Sequence, residues 1–419
     1  MLKAISLFTG VGGLDFGFEA AGFKTCVALD NDPAACRMIR HNRKWPVLEG
    51  DIDEFSSEEI LEAAGLEAGE ADVLIGGPPC QPFSKSSYWV NGDSLRLDDP
   101  RANTLTAYLR VLRDVRPKTF LLENVYGLAF KGKDEGLSHL ISGIEQINRE
   151  VGTNYQVHWK PLNAAHYGVP QLRERVFLIG SRDGTDFKFP AATHADPEKI
   201  GLLDESVESY RTAWDAIGDL PERPNESSLS VGGKWADLIP SIPEGQNYLW
   251  HTNRGGGEQL FGWRTRYWSF LLKLAKTLPS WTIQAQPGSS IGPFHWTNRK
   301  LSKLEMCRLQ TFPDGVDLDC SRTDAQRLLG NAVPSLMGEI LAREIKKQLL
   351  GKTVRKTQLK LLPSVRKPVP NPEQLTEVPE KYMELVGSHA DHPGTGKGSH
   401  AKKRKVAETQ PVLFETASG

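Results

Sequence analysis

Short apolar runs recur through the first half of the chain at Ala4–Phe8, Val27–Leu29, Val73–Ile75, Phe120–Leu122 and Val176–Ile179. Between them lie stretches with helical spacing of apolar positions, at 14–22, 33–42, 104–113 and 137–149. Strand followed by helix, repeated in this way, predicts an α/β fold: a doubly wound, mostly parallel sheet with helices on both faces. From about 190 to 280 the rhythm stops. Gly, Pro, Ser and charged residues dominate there, as in GGKW and NRGGGEQ, and the segment reads as an irregular inserted or second domain. Helical spacing returns at 302–310 and again at 331–349, where Val333, Leu336, Met337, Ile340, Leu341 and Ile345 form one apolar face. This end of the chain is expected to rejoin the core. Beyond about Leu362 the stretch LLPSVRKPVPNPEQL reads as a linker or an arm lying on the surface, with poor order expected from about 387 onward. The expected divisions are therefore 1–188, 189–297, 298–350 and a tail at 351–419.

Composition narrows the class. The 419 residues are 39% hydrophobic and 25% charged, as in a globular protein with a large core. Five scattered cysteines (Cys26, Cys36, Cys80, Cys307, Cys320) form no CxxC pair, which argues against a disulfide framework or a thiolate metal site and fits a reducing cytoplasm. Thr9, Gly10, Gly12, Gly13 and Asp15 interrupt MLKAISLF too early for a signal peptide. No apolar stretch approaches the roughly 20 residues that span a bilayer, so no membrane association is expected.

The net charge of −1 carries no general signal for nucleic acid, but its distribution does. Arg254, Arg264, Arg266, Lys273, Lys276, Arg299, Lys300, Lys303 and Arg308 fall between His251 and Gln310 against only Glu258 and Glu305. Trp263, Tyr267, Trp268, Trp281 and Trp296 are interleaved with them, a mixture suited to phosphate contact and base stacking. A core of aromatics under a solvated charged face is the alternative. The run Lys402–Lys405 reads either as a plain solvated cluster or as a nuclear address or phosphate-binding tail.

The first strand runs into the glycine-rich turn Phe8–Leu14, which opens a helix and lets a ligand approach backbone N–H groups closely. Asp30, with Asn31 after it, ends the next strand at about the 20-residue offset where nucleoside sites place an acid for ribose hydroxyls. Gly50-Asp51-Ile52 offers a second carboxylate at a strand end, placed for an adenine amino group. After the strand Val73–Ile75 comes GGPPCQPFS, whose prolines hold Cys80 in a rigid loop at the carboxyl edge of the sheet. A cysteine so placed is poorly explained as packing. Glu123 follows the strand Phe120–Leu122, so that a thiol and a carboxyl are expected on neighbouring strand ends. Arg173 and Arg175 alternate in QLRER and are expected to point the same way.

With FTGVGG, GGPPCQPFS, ENV, QLRERVFLIG, RLQTFPD and GNAVP in this order, the chain resembles the DNA cytosine-5 methyltransferases of bacterial restriction-modification systems from about Lys3 to Leu350. The resemblance implies a class I methyltransferase fold with a smaller target-recognition domain, and S-adenosylmethionine as methyl donor. It implies that Cys80 adds to C6 of cytosine, that Glu123 serves N3 and the exocyclic amine, and that Arg173 and Arg175 lie near the base and Cys80. It assigns Phe8 to the adenine side, the Gly10, Val11, Gly12, Gly13 and Leu14 backbone to the methionine part, and Asp30 to ribose. Asp51 and Ile52 go to adenine, and Pro79 and Asn331 complete the donor pocket. Asp30 stands where many relatives have Glu, and its shorter side chain still offers a carboxylate to the ribose.

The stretch Ser84–Asn103 resembles the family's mobile catalytic loop, with Gln81, Ser84, Ser87 and Arg96 expected at the DNA. Arg254, Arg264, Arg266 and Lys273 in the variable region are expected to contact DNA as well. The partner implied is double-stranded DNA bound by a monomer in the cytoplasm, at the nucleoid, with a cognate endonuclease as functional partner. An RNA cytosine methyltransferase acting on tRNA, or a catalytically silent DNA-binding regulator, would share the fold.

Overall fold

A computed structural model describes residues 1–79, 103–129, 135–198, 207–221, 229–263, 267–354 and 358–387. Its centre is a seven-stranded sheet. In chain order the elements are β1 (Leu2–Leu7), α1 (Gly13–Ala20), β2 (Phe23–Asp30), α2 (Pro33–Asn42), β3 (Val47–Glu49), α3 (Ser57–Ala64) and β4 (Val73–Gly76). Next come α4 (Asn103–Val115), β5 (Thr119–Val125), α5 (Glu135–Val151), β6 (His158–Asn163), β7 (Gln171–Leu172) and β8 (Glu174–Ser181). Small pieces follow: β9 (His194–Ala195), β10 (Glu208–Ser209), α6 (Ala213–Ile217) and β11 (Ser280–Trp281). The helices α7 (Lys303–Leu309), α8 (Arg322–Asn331) and α9 (Ser335–Gln348) come last.

The strand order is β3-β2-β1-β4-β5-β8-β6. The pairings of β1, β2, β3, β4 and β5 are parallel, while β8 runs antiparallel to both neighbours. Alternation along each strand feeds two cores. Ile5, Leu7, Leu74, Phe120, Leu122, Val176 and Leu178 face α3, α4 and α5. Ala4, Val73, Ile75, Leu121, Phe177 and Ile179 face α1 and α9, with Leu14 and Phe18 packed against Leu336, Met337 and Ile340. The C-terminal helix thus covers the sheet beside the first strand.

Two further cores lie outside the sheet. Val11 and Phe16 share one with α6, α7 and α8, so that residues 213–217 pack with 301–329 and also with Leu274, Ile283 and Trp296 from the irregular stretch. The other is small, made by Leu238, Ile239, Ile242, Tyr248, Leu260, Leu271 and Phe294, and Tyr382 from the C-terminal arm is buried in it. That arm is fastened along its length. Buried Glu339 accepts the amides of Lys360 and Leu361 at 2.9 Å each, and Arg366 N donates to Asp215 at 2.8 Å. Lys276 Nζ donates to Asn371 O and Glu373, and Tyr382 Oη donates to Lys234 O at 2.6 Å.

Several elements were not expected from the apolar pattern, among them β6, α3 and α8. β6 is an edge strand with Leu162 its one buried residue, so its sequence HWKPLN carries no apolar alternation. α3 is announced instead by its cap, where Ser56 and Glu59 form a reciprocal capping box. The apolar face expected over 331–349 forms one helix, α9, which starts after Pro334, while α8, a separate helix that ends at Asn331, had no apolar pattern to announce it.

Candidate active site

The chain leaves β1 toward β2 on one side and reaches β4 on the other, so the crevice at the carboxyl ends of β1 and β4 is the topological switch point, where open α/β sheets bind ligands. The glycine turn follows β1 at this place. Phe8, Gly10 and Gly12 have φ of 52°, 56° and 82°, and a side chain on Gly10 would meet open space. Gly10 N donates to Asp30 Oδ2 at 2.7 Å and Asp32 N donates to Asp30 Oδ1 at 2.9 Å, which locks the turn to the end of β2. Burial pushes the Asp30 carboxyl up, and these amides pull against it. α1 starts at Gly13 without a side-chain cap, leaving backbone donors at its N-terminus. The side chains of Val11 and Leu14 are buried in the cores, so only their backbone is available to a ligand.

The end of β3 lies next to that of β2, with Gly50 N donating to Asp30 O at 3.1 Å. Asp51 is exposed and caps the following turn, while Ile52 is buried. Asn31 is exposed, and Asp32 pairs with Arg327 of α8 across the rim. These residues form one continuous rim able to hold a nucleoside. The Asp32–Arg327 pair had no sequence signal, since 295 residues separate its partners.

On the β4 side the loop Gly77–Pro79 is pinned from below. Asn124 Nδ2 donates to Pro78 O and Thr104 Oγ1 to Pro79 O, both at 3.3 Å. A Cβ on Gly77 would sit 3.1 Å from Glu123 Oε2, so glycine is what allows the carboxyl to lie against this loop. Cys80, the next residue after Pro79, lies outside the described residues, as do Gln81, Ser84, Ser87 and Arg96. Glu123 is buried and forms an ion pair with Arg175 Nε at 2.8 Å. Burial raises its pKa, with Arg175 and then Arg173 acting in the opposite sense.

The two arginines behave differently. Arg175 faces Glu123, whereas Arg173 is only 1% exposed and donates from Nη2 to Gly330 O at 2.7 Å. Asn331, next in the chain, is exposed at the end of α8, and a Cβ on Gly13 would be 2.2 Å from Val333 O. The GNAVP stretch therefore touches the glycine turn on one side and the arginine segment on the other.

A family model for the C-5 cytosine-specific DNA methylases matches residues 2–347. The chain belongs to this family. It is a DNA cytosine-5 methyltransferase. Among curated relatives, the Type II methyltransferase M.SacI of Streptomyces achromogenes is 40% identical over 372 residues, covering 83% of this chain and 93% of the relative. M.NgoFVII of Neisseria gonorrhoeae is 33% identical over 338 residues, covering 79% and 83%. Among solved structures, the Dnmt2 methyltransferase of Schizosaccharomyces pombe superposes with a TM-score of 0.54 at 16% identity over 84% of this chain and 99% of that one, a likeness of fold.

The basic region of the methyltransferase is smaller than its sequence implied. Lys273, expected at the DNA, is instead 2% exposed, and loss of solvent pushes its pKa down to about 8. It has no access to a phosphate. Lys276 is equally buried, between Glu244 and Glu373 at 2.6 and 2.9 Å. Arg299 pairs with buried Glu305, and Arg308 with Asp314 at 2.8 Å. Trp296 is core, while Trp268 and Trp281 are 59% and 47% exposed. Arg254 is exposed with its guanidinium 4.1 Å above the Trp263 ring. Arg264 and Arg266 lie outside the described residues. No described helix is long and apolar enough to cross a membrane.

Proposed function

We propose that this methyltransferase modifies C5 of a cytosine turned out of a specific duplex sequence, through a transient bond between Cys80 Sγ and C6, as the protecting half of a restriction-modification system. Cytosine C5 is too weak a nucleophile to accept a methyl group directly, and thiolate addition at C6 converts the ring to an enamine. The addition places negative charge on the ring, and Glu123 meets it by giving or sharing a proton at N3. Once C5 is substituted, its proton leaves to a base and the thiolate is expelled, restoring both the aromatic ring and Cys80.

S-adenosylmethionine, when bound, supplies an electrophilic methyl group on a sulfonium. The residues that would hold it are the Gly10–Leu14 backbone beside Phe8, the Asp30 carboxylate, Asp51 with Ile52, and Pro79 and Asn331 at the rim. The open space at Gly10 and the uncapped start of α1 fit such a ligand. The base reaches Glu123 only out of the stack, at a cost of a few kcal/mol that pocket contacts must offset. The irregular stretch at 189–297 is the part we assign to target recognition.

What carries this reading is a buried carboxyl of raised pKa, held by Arg175 against the loop that leads into Cys80. The Type II names of the relatives support the restriction-modification role. Methyl transfer from labelled donor to a mixed-sequence duplex, to tRNA and to no acceptor is the test, followed by bisulfite sequencing of DNA from expressing cells. Duplex labelling with one protected sequence motif is expected. Transfer to tRNA alone would overturn it.

A further inference from the structure

The stretch Leu329–Val333 is held from several sides at once. Gln310 Nε2 donates to Leu329 O at 2.6 Å. A Cβ on Gly330 would lie 2.4 Å from the Ala285 backbone, and Val333 O abuts Gly13 of the glycine turn. From the sheet side comes Arg173, whose Nη2 donates to Gly330 O at 2.7 Å. Its own backbone is fixed, because Ala164 N donates to Arg173 O at 2.9 Å and the neighbouring strand β7 pairs in register with β11.

The rest of that guanidinium is unusual. Nε and Nη1 are buried with no hydrogen-bond partner among the described residues. The opposite charge that acts on it is Glu123, which Arg175 already engages at 2.8 Å, and Arg175 itself repels it. Burying a cation without a dedicated counter-ion is costly. The contact Arg173 does make is with the backbone carbonyl of Gly330, next to Asn331.

We infer that Arg173 is a positioning residue for the methyl-donor pocket, holding Gly330 O from inside the fold and so setting Asn331 and the Val333–Gly13 contact relative to Glu123. This rests on the cofactor reading above. It separates the two arginines: Arg175 acts at the carboxyl that meets the base, and Arg173 acts through the backbone that borders the donor. A residue that only touched the base would leave donor binding unchanged when lost.

The test uses the full-length protein without DNA. S-adenosylmethionine is titrated calorimetrically into wild type, Arg173→Lys, Arg173→Met and Arg175→Met, and amide exchange is followed over 329–333. Arg173→Met is expected to weaken donor binding by about tenfold or more, with Lys recovering most of the loss and Arg175→Met staying within about twofold. Combining Arg173→Met with Asn331→Ala is expected to weaken binding by less than the product of the single effects. Exchange at 329–333 is expected to rise in Arg173→Met while β1, β4 and β5 stay protected. Wild-type donor affinity and unchanged exchange in Arg173→Met would overturn the inference, and so would loss of protection throughout the sheet. Failure of wild type to bind S-adenosylmethionine would overturn the cofactor reading instead, and exchange at 329–333 would still decide the role of Arg173.

Discussion

Glu123 is pulled in two directions, upward by burial and downward by Arg175 and Arg173. Its folded pKa stays above the ordinary carboxyl value, so the protonated form persists to higher pH and is lost as pH rises through the folded pKa. Removing Arg175 takes away the larger of the two opposing influences. Arg175→Met is therefore expected to move the alkaline limb of the single-turnover rate to higher pH, while Glu123→Gln lowers that rate about 100-fold or more and removes the limb. A pH–rate profile of the three proteins checks this; an alkaline limb unmoved in both variants would count against Glu123 as the titrating group. How far such residues can be read from sequence depends on what fixes them. Cys80 and Glu123 are marked by motif and by their place after a strand. The burial of Arg173 and Lys273 is not, because alternation gives two faces without saying which is inside, and an irregular segment has no period at all.

At the scale of elements, the strands and crossover helices with strong apolar periodicity were legible, and those held by other means were not. β6 is stabilised by pairing to β8 at the edge of the sheet, and α8 buries Ala325, Gln326, Leu328, Leu329 and Gly330, among which only the two leucines are large and apolar. The arm at 358–387 is the clearest case. Its Pro-rich sequence reads as surface chain, yet Glu339 receives two of its amides, Lys276 reaches Glu373, and Tyr382 stacks on Trp235 at 5.5 Å between ring centroids. It lies beyond the span matched by the family model, which ends at 347. Tyr382→Ala is expected to remove about 3 kcal/mol from the small core around Tyr248 and Leu271, because a buried aromatic ring leaves a cavity there. Limited proteolysis should then cut within 358–387 far faster than in wild type, and unchanged cleavage would show that the arm is held without that ring.

Across the whole molecule the charge balance is near zero at −1, and several of the basic residues that looked available for DNA are committed to internal ion pairs. Among the basic residues of 251–310, Arg254 is one exposed candidate for phosphate contact. The slope of log affinity against log salt is expected to be shallow for a DNA enzyme, about −3 or less steep, and to fall by about 1 in Arg254→Ala. A steep wild-type slope would mean that the contacts come from elsewhere. The central claim concerns the thiol rather than the surface. The direct measurement is mass spectrometry of full-length protein incubated with S-adenosylmethionine and a duplex carrying 5-fluorocytosine at the target, for wild type and Cys80→Ala. A denaturation-resistant adduct mapping to the peptide that contains Cys80, absent from Cys80→Ala, is the expected result. Methylation of the ordinary duplex by Cys80→Ala, or an adduct on another residue, would contradict it.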